Sequence, residues 1–286
     1  MSRTESLAPP SIEPTLPRMI TVGAVDYLNT IPLIAGLEGL ETLEVRTDVP
    51  ANQVGMLQRD AVDLALCSSI DLVRCPEPLM AVPVGMLGCA GPTLTVRLLS
   101  RRPLSELSRV ACDRESHTSV QLLRVFLREV HGVEPELVDL DAGMDGIRID
   151  AAMDALLLIG DKVVTATVPE AFHEHEVDLG EAWFEMTGLP FVFATWLCRV
   201  NRTPEELERV RLAARILDRT RLRNKSRISR LAAIHAPIHG WPVELARRYF
   251  VENLIYDFDE RAMAGLRLFI ELSEGRDRPV RILEDI

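Results

Sequence analysis

The sequence predicts an α/β protein of two lobes that hinge about a pair of long strands. Three observations lead there. Short apolar runs of strand length alternate with helical stretches from residue 19 to residue 86, the pattern of a parallel sheet with helical crossovers. The alternation restarts near Val110 and continues to Ile159. Between these units stand two longer runs, 93–100 and 191–200, which read as hinge strands of a protein that closes on a ligand. The C-terminal third is helical and completes the first unit. Lobe I is therefore expected to comprise 19–98 plus 197–286, and lobe II 99–196.

Residues 1–18 contain Pro9, Pro10, Pro14 and Pro17 and few apolar residues, so a disordered leader is expected. It lacks the apolar centre of a secretory signal, and Met19, where the folded pattern begins, is an alternative start. Met19 to Val25 forms the first strand. A polar turn follows, and a helix restarts at Pro32, whose fixed φ suits a first helical turn. Leu43 to Thr47 is a second strand, and Pro50 opens a helix through Arg59. Val62 to Cys67, Asp63 apart, is an apolar run of strand length, followed at once by Ser68 and Ser69, whose hydroxyls suit a helix cap or a ligand. Met80 to Met86 is a further strand, and Gly88-Cys89-Ala90-Gly91-Pro92 is a turn cluster.

Thr93 to Ser100 is the first hinge strand, Pro103 starts a short helix, and Val110 to Cys112 opens the second unit. Ser116-His117-Thr118-Ser119 leads into an amphipathic helix reaching Val130, with Val120, Leu123, Leu127 and Val130 on one face. Ala155 to Ile159 is a buried strand ending in Gly160-Asp161. After the second hinge strand, Thr203-Pro204-Glu205-Glu206 is a capping box with proline at the first helical position. Further helices follow around Val243 to Asn253 and Asp259 to Glu271.

Composition narrows the function. With 47% hydrophobic and 26% charged residues the chain is an ordinary globular protein, and 5% aromatic residues leave an aliphatic core. A net charge of -11 argues against nucleic-acid or membrane-surface partners, whose binders carry basic footprints. No apolar run approaches the roughly 20 residues of a membrane span. The five cysteines are odd in number and contain no CxxC pair, which points to reduced thiols in the cytoplasm.

Asn29 and Thr30 sit at a strand-to-helix junction, the place where open α/β sheets bind ligands. Asn29 can donate and accept hydrogen bonds but cannot ionise. On residues alone it reads first as an Asx-turn residue, Ser68 and Ser69 read as plain caps as readily as ligand groups, and Thr118 and Ser119 read as the first turn of an ordinary helix. His173-Glu174-His175 lacks a third ligand and reads as a surface loop, not a metal site. Pro237 separates His235 from His239, the basic run Arg219 to Arg230 reads as a solvated helix face, and Trp183 and Trp196 read as core.

Five stretches taken together resemble a known family. They are Tyr27 to Leu33, Asp63 to Ile70, Ser116 to Ser119, Leu157 to Asp161, and Asp178 to Trp196 with its Thr187-Gly188-Leu189-Pro190-Phe191-Val192-Phe193-Ala194 core. In this order and spacing they resemble the menaquinone-pathway enzymes built on a periplasmic-binding-protein type II fold, and among these the chorismate dehydratases of the futalosine route. One segment departs: where the family has Gly-x-x-x-Ser-Val, this chain has Gly91 to Val96 with Thr95 in the serine position.

The resemblance implies a hydro-lyase that needs no cofactor and no metal, acting on a dianionic small molecule as a monomer or homodimer. Asn29 would be the catalytic residue. Tyr27, Thr30, Ser68, Ser69, Thr95, Thr118, Ser119, Gly160, Asp161 and Phe191 would contact the substrate. None of the aligned neutral residues has a pKa near 7, so a carboxylate of the substrate would itself take the ring proton. The alternatives are a sibling enzyme of the dihydroxynaphthoate-synthase type, marked by a histidine over the site, and a non-catalytic binding protein for an anionic ligand.

Overall fold

The computed structural model describes residues 19–113, 115–143, 146–284 and 286, so the leader expected over 1–18 lies outside the described residues. Lobe I begins with strands β1 (Ile20–Ala24), β2 (Leu43–Thr47), β3 (Leu64–Ser68) and β4 (Leu79–Cys89). Lobe II is built on β5 (Val96–Ser100), β6 (Arg109–Asp113), β7 (Glu136–Gly143), β8 (Gly146–Arg148), β9 (Ala155–Ile159) and β10 (His175–Asp178). The chain then returns to lobe I as β11 (Phe191–Arg199).

The first sheet has the order β2-β1-β3-β11-β4 and the second β10-β5-β9-β6-β7-β8. β1 runs parallel to β2 and β3, with Val22 opposite both Val45 and Leu64. β11 enters antiparallel between β3 and β4, setting Trp196 opposite Leu66 and Val82. Every residue of β3 is buried, as a continuous apolar strand covered on both faces should be.

The two long strands expected to link the lobes each belong to one sheet only. β5 pairs entirely within the second sheet and β11 entirely within the first, so the chain crosses between Cys89 and Val96 and between Thr187 and Phe191. Gly88 and Cys89, expected in a turn, are the end of β4, and Thr93 to Thr95, expected as strand, form the crossing instead, with Leu94 at a positive φ of 68°. Asp178 holds that crossing by accepting the Thr93 and Leu94 N–H groups at 2.9 and 2.7 Å.

The helices in order are α1 (Ile31–Ile34), α2 (Pro50–Gln58), α3 (Asp71–Arg74), α4 (His117–Phe126), α5 (Lys162–Thr165), α6 (Leu179–Thr187), α7 (Pro204–Lys225), α8 (Ile228–His235), α9 (Val243–Arg248) and α10 (Glu260–Glu274). Prolines open α1, α2 and α7, and Thr203 and Glu206 complete the expected capping box. Ser116 caps α4 by accepting the Ser119 N–H, and Asp259 caps α10. Neither Ser68 nor Ser69 caps α3. His175, read as loop, opens the edge strand β10 against β5.

An aromatic cluster seals the joint between lobes. Phe191 lies 5.2 Å from Trp183 of lobe II and 4.9 Å from Phe269 on α10, all three fully buried. Edge-to-face pairs of this kind add ~0.5–1.5 kcal/mol each beyond simple burial. Gly265 on α10 has no room for a Cβ against the Pro190 carbonyl, so α10 rests directly on the second crossing. No described helix is long and apolar enough to cross a membrane.

Candidate functional site

Three strand ends converge between the lobes: β1 delivers Tyr27 and Asn29, β3 delivers Ser68, and β9 delivers Gly160 from the opposite side. The first crossing adds Thr95, and the start of α4 adds Ser116 and Ser119. Together they enclose a cavity of about 60 Å³. A water needs about 10–15 Å³ of such space, so the cavity has room for a few waters.

The local backbone explains why these residues face inward. A 3-10 turn, Leu28–Thr30, leads directly into α1, and Pro32 in the first turn of α1 lets the chain reverse tightly after β1. Gly160 has a φ of +63°, and a Cβ there would come within 2.8 Å of the Tyr27 ring. Tyr27 therefore lies flat over Gly160, with its hydroxyl buried and without a partner among the described residues.

The polar groups around the cavity are prearranged. The Ser116 hydroxyl donates to Ser119 Oγ at 2.9 Å, which leaves the Ser119 hydroxyl hydrogen for a ligand. Ser68 Oγ has no hydrogen-bond partner among the described residues. Thr30 Oγ1 donates to Asn29 Oδ1 at 3.1 Å, leaving the Asn29 NH2 to donate. Thr95 Oγ1 lies 2.6 Å from the Tyr249 hydroxyl, which also interacts with the Asn29 side chain. Burial pushes the Tyr249 phenol far above its ordinary value, so it remains a neutral hydrogen-bonding group. The remaining wall is apolar, from Leu66, Leu87, Val96, Ile159, Phe193 and Leu254. No Asp, Glu, Lys, Arg, His or Cys lines the cavity among the described residues.

Of the residues expected at the substrate, Tyr27, Asn29, Ser68, Thr95, Ser119 and Gly160 line this cavity. Thr30, Ser69, Thr118, Asp161 and Phe191 do not. Ser69 donates to the Val192 carbonyl at 2.6 Å, and Thr118 Oγ1 accepts the Ile70 N–H at 3.3 Å, so this pair fastens α4 to lobe I. Asp161 turns away from the cavity. Its carboxylate accepts from Leu28 N–H at 3.3 Å and Trp241 Nε1 at 3.0 Å, with His239 Nδ1 also at 3.0 Å. Burial raises its pKa, and these contacts oppose that rise. Phe191 is replaced at the wall by Phe193, because a bulge between Val192 and Ala194 makes Phe193 the extra residue of β11 and re-aims it.

Tyr249 and Trp241, outside every motif, were not anticipated. Their rings stack at 5.0 Å, which links the Asp161 clasp on one side of Asn29 to the Tyr249 hydroxyl on the other. Tyr249 lies in a π-helical stretch, Tyr249–Asn253, where the usual 3.6-residue spacing gives no guide to facing.

The structure is a two-lobed α/β fold with a small, neutral, hydrogen-bonding cavity between its lobes. The comparisons agree on the architecture. A protein of Archaeoglobus fulgidus superimposes with a TM-score of 0.65 at 17% identity, covering 91% of this chain and 98% of its own. The periplasmic aliphatic sulphonate binding protein of Escherichia coli does so at 0.60 and 15%, covering 95% of each chain. A chorismate dehydratase of Thermus thermophilus is 31% identical over 271 residues, 89% of this chain and 95% of the relative. The family described as menaquinone biosynthesis matches residues 20–274, and this chain belongs to it.

Proposed function

We propose that this protein is a hydro-lyase that removes water from chorismate to give an enolpyruvyl-substituted benzoate, in the futalosine branch of menaquinone synthesis. The observation that carries the reading is the cavity lining: neutral donors from both lobes and no side chain able to act as a base near neutral pH. In this reaction the proton leaves the ring carbon that bears the enol ether, and hydroxide leaves from its neighbour. The substrate brings its own base, since one of its carboxylates takes the proton. Asn29 NH2 orients that carboxylate, and Ser68 and Ser119 supply O–H donors to the departing oxygen. Closure excludes water and holds the groups in line, where well-placed donors act most strongly. Aromatisation drives the step, so positioning suffices.

A relative in sequence supports this reading over the sibling enzyme, and no histidine lines the cavity among the described residues. The five unpaired cysteines, four of them buried, suit a reducing cytoplasm. The test is purified protein with chorismate, read by product mass and absorbance, with Asn29→Ala alongside. Loss of one water with an aromatic spectrum, abolished in the variant, is expected. Tight binding without product overturns the enzyme reading, and full turnover by Asn29→Ala overturns the role of Asn29.

A further inference from the structure

A second and larger cavity lies behind the catalytic one. It has a volume of about 340 Å³ and is walled by Phe250, Leu254, Ile255 and Tyr256 on one side and by Pro32 and Ile228 on the other. Leu254 also forms part of the catalytic wall, and Pro32 opens the helix that follows Asn29, so the two cavities share structure. The mouth is charged. Lys225 Nζ meets Asp257 at 2.7 Å, and Arg221 contacts both Asp257 and Asp218. Lys225 is two-thirds exposed and uses one donor here, so it has N–H groups to offer. The Tyr256 hydroxyl is buried and has no partner among the described residues.

An apolar, flat-walled chamber with cations at its mouth suits one class of molecule. We propose that this cavity is a second ligand site for a small aromatic carboxylate, the ring lying on Phe250, Leu254 and Ile228 and the carboxylate meeting Lys225 and Arg221 in place of Asp257. Asp257 then acts as an internal competitor, a carboxylate already seated where the ligand's would go. This goes beyond the proposed reaction and does not depend on it.

The test uses the full chain and 1-naphthoate, with binding measured by calorimetry and by naphthoate fluorescence. One molecule is expected to bind wild type and Asn29→Ala equally. Asp257→Asn, which removes the competitor, should tighten binding severalfold, and Lys225→Glu, a surface change, should weaken it at least tenfold. Ile228→Trp, which fills the chamber, should abolish it while leaving the melting temperature intact. Chorismate should not displace the probe. Absence of binding, displacement by chorismate, or indifference to both Asp257→Asn and Lys225→Glu overturns the proposal.

Discussion

The interior of the cleft and the seam around it are built from different chemistry. Among the described residues the interior presents amide, hydroxyl and apolar groups only. The seam is charged: Asp161 of lobe II meets His239 and Trp241 of lobe I, Asp71 of lobe I meets His117 of lobe II at 2.8 Å, and Arg74 donates to Gln121 across the same gap at 2.7 Å. The difference teaches a division of labour. Charged side chains join the lobes beside the aromatic cluster and the Ser69–Thr118 contact, and neutral groups line the space between them. The proposed dianionic substrate would then meet no lysine or arginine among the described lining residues to neutralise the carboxylate proposed as base.

The sharpest way to break this comparison is to place a charge inside. Asn29→Asp preserves shape but sets a carboxylate against the substrate's own. At about 4 Å and an effective dielectric near 20, that repulsion is about 4 kcal/mol, so kcat/KM should fall about 10³-fold in steady-state assays. Retained turnover would mean that neutrality of the interior is incidental. Next comes Gly160→Ala, which forces a side chain onto a left-handed backbone and into the Tyr27 ring. With strain of about 1–2 kcal/mol and a displaced ring, kcat/KM should drop roughly tenfold or more. A normal rate would show that Tyr27 is free to move.

Changes at the seam should act differently from changes inside. Asp161→Asn weakens a clasp that joins Leu28, His239 and Trp241, so KM for chorismate should rise about tenfold, consistent with loss of ~1–1.5 kcal/mol, with a smaller change in kcat. A pure loss of kcat would instead make Asp161 part of the chemistry. The smallest effect is expected at His117. The Asp71 hydrogen bond raises its pKa, so the pair stabilises closure fully below the ordinary histidine value and loses that contribution as pH rises through the raised one. His117 is partly exposed, which limits the effect to under about 2 °C in melting temperature. Comparing wild type with His117→Gln between pH 5 and pH 9 should show a gap that closes on the alkaline side.

Much of this molecule is legible before folding, for identifiable reasons. β9 coincides with an apolar run, β2 with the alternation of Leu43 and Val45 with polar residues, and α7 announces itself by Thr203, Pro204 and Glu206. β7 was invisible because Glu136, Asp139 and Asp141 interrupt its apolar pattern, and β10 because four residues at a sheet edge carry little signal. α6 was hidden inside a motif read for its resemblance, although Asp178 is a clear cap for it. In the site, residues next to strand ends were found and those set by tertiary events were not. Phe193 depends on a bulge, and Tyr249 on a helix that changes pitch. Neither leaves a local mark.

The position of β11 has a consequence for how the protein comes into being. Lobe II is one uninterrupted segment whose strands pair among themselves, whereas the first sheet lacks a central strand until the chain returns and inserts β11 between β3 and β4. Until then the facing edges of β3 and β4 have no neighbour. Long-range strand insertion of this kind is slow. Lobe II should therefore acquire hydrogen-exchange protection first during refolding, with β3, β4 and β11 gaining it together and later. Protection of lobe I ahead of lobe II would refute that order. The cavity between the lobes, which needs Ser68 from β3 and Phe193 from β11, would then be the last part of the molecule to exist.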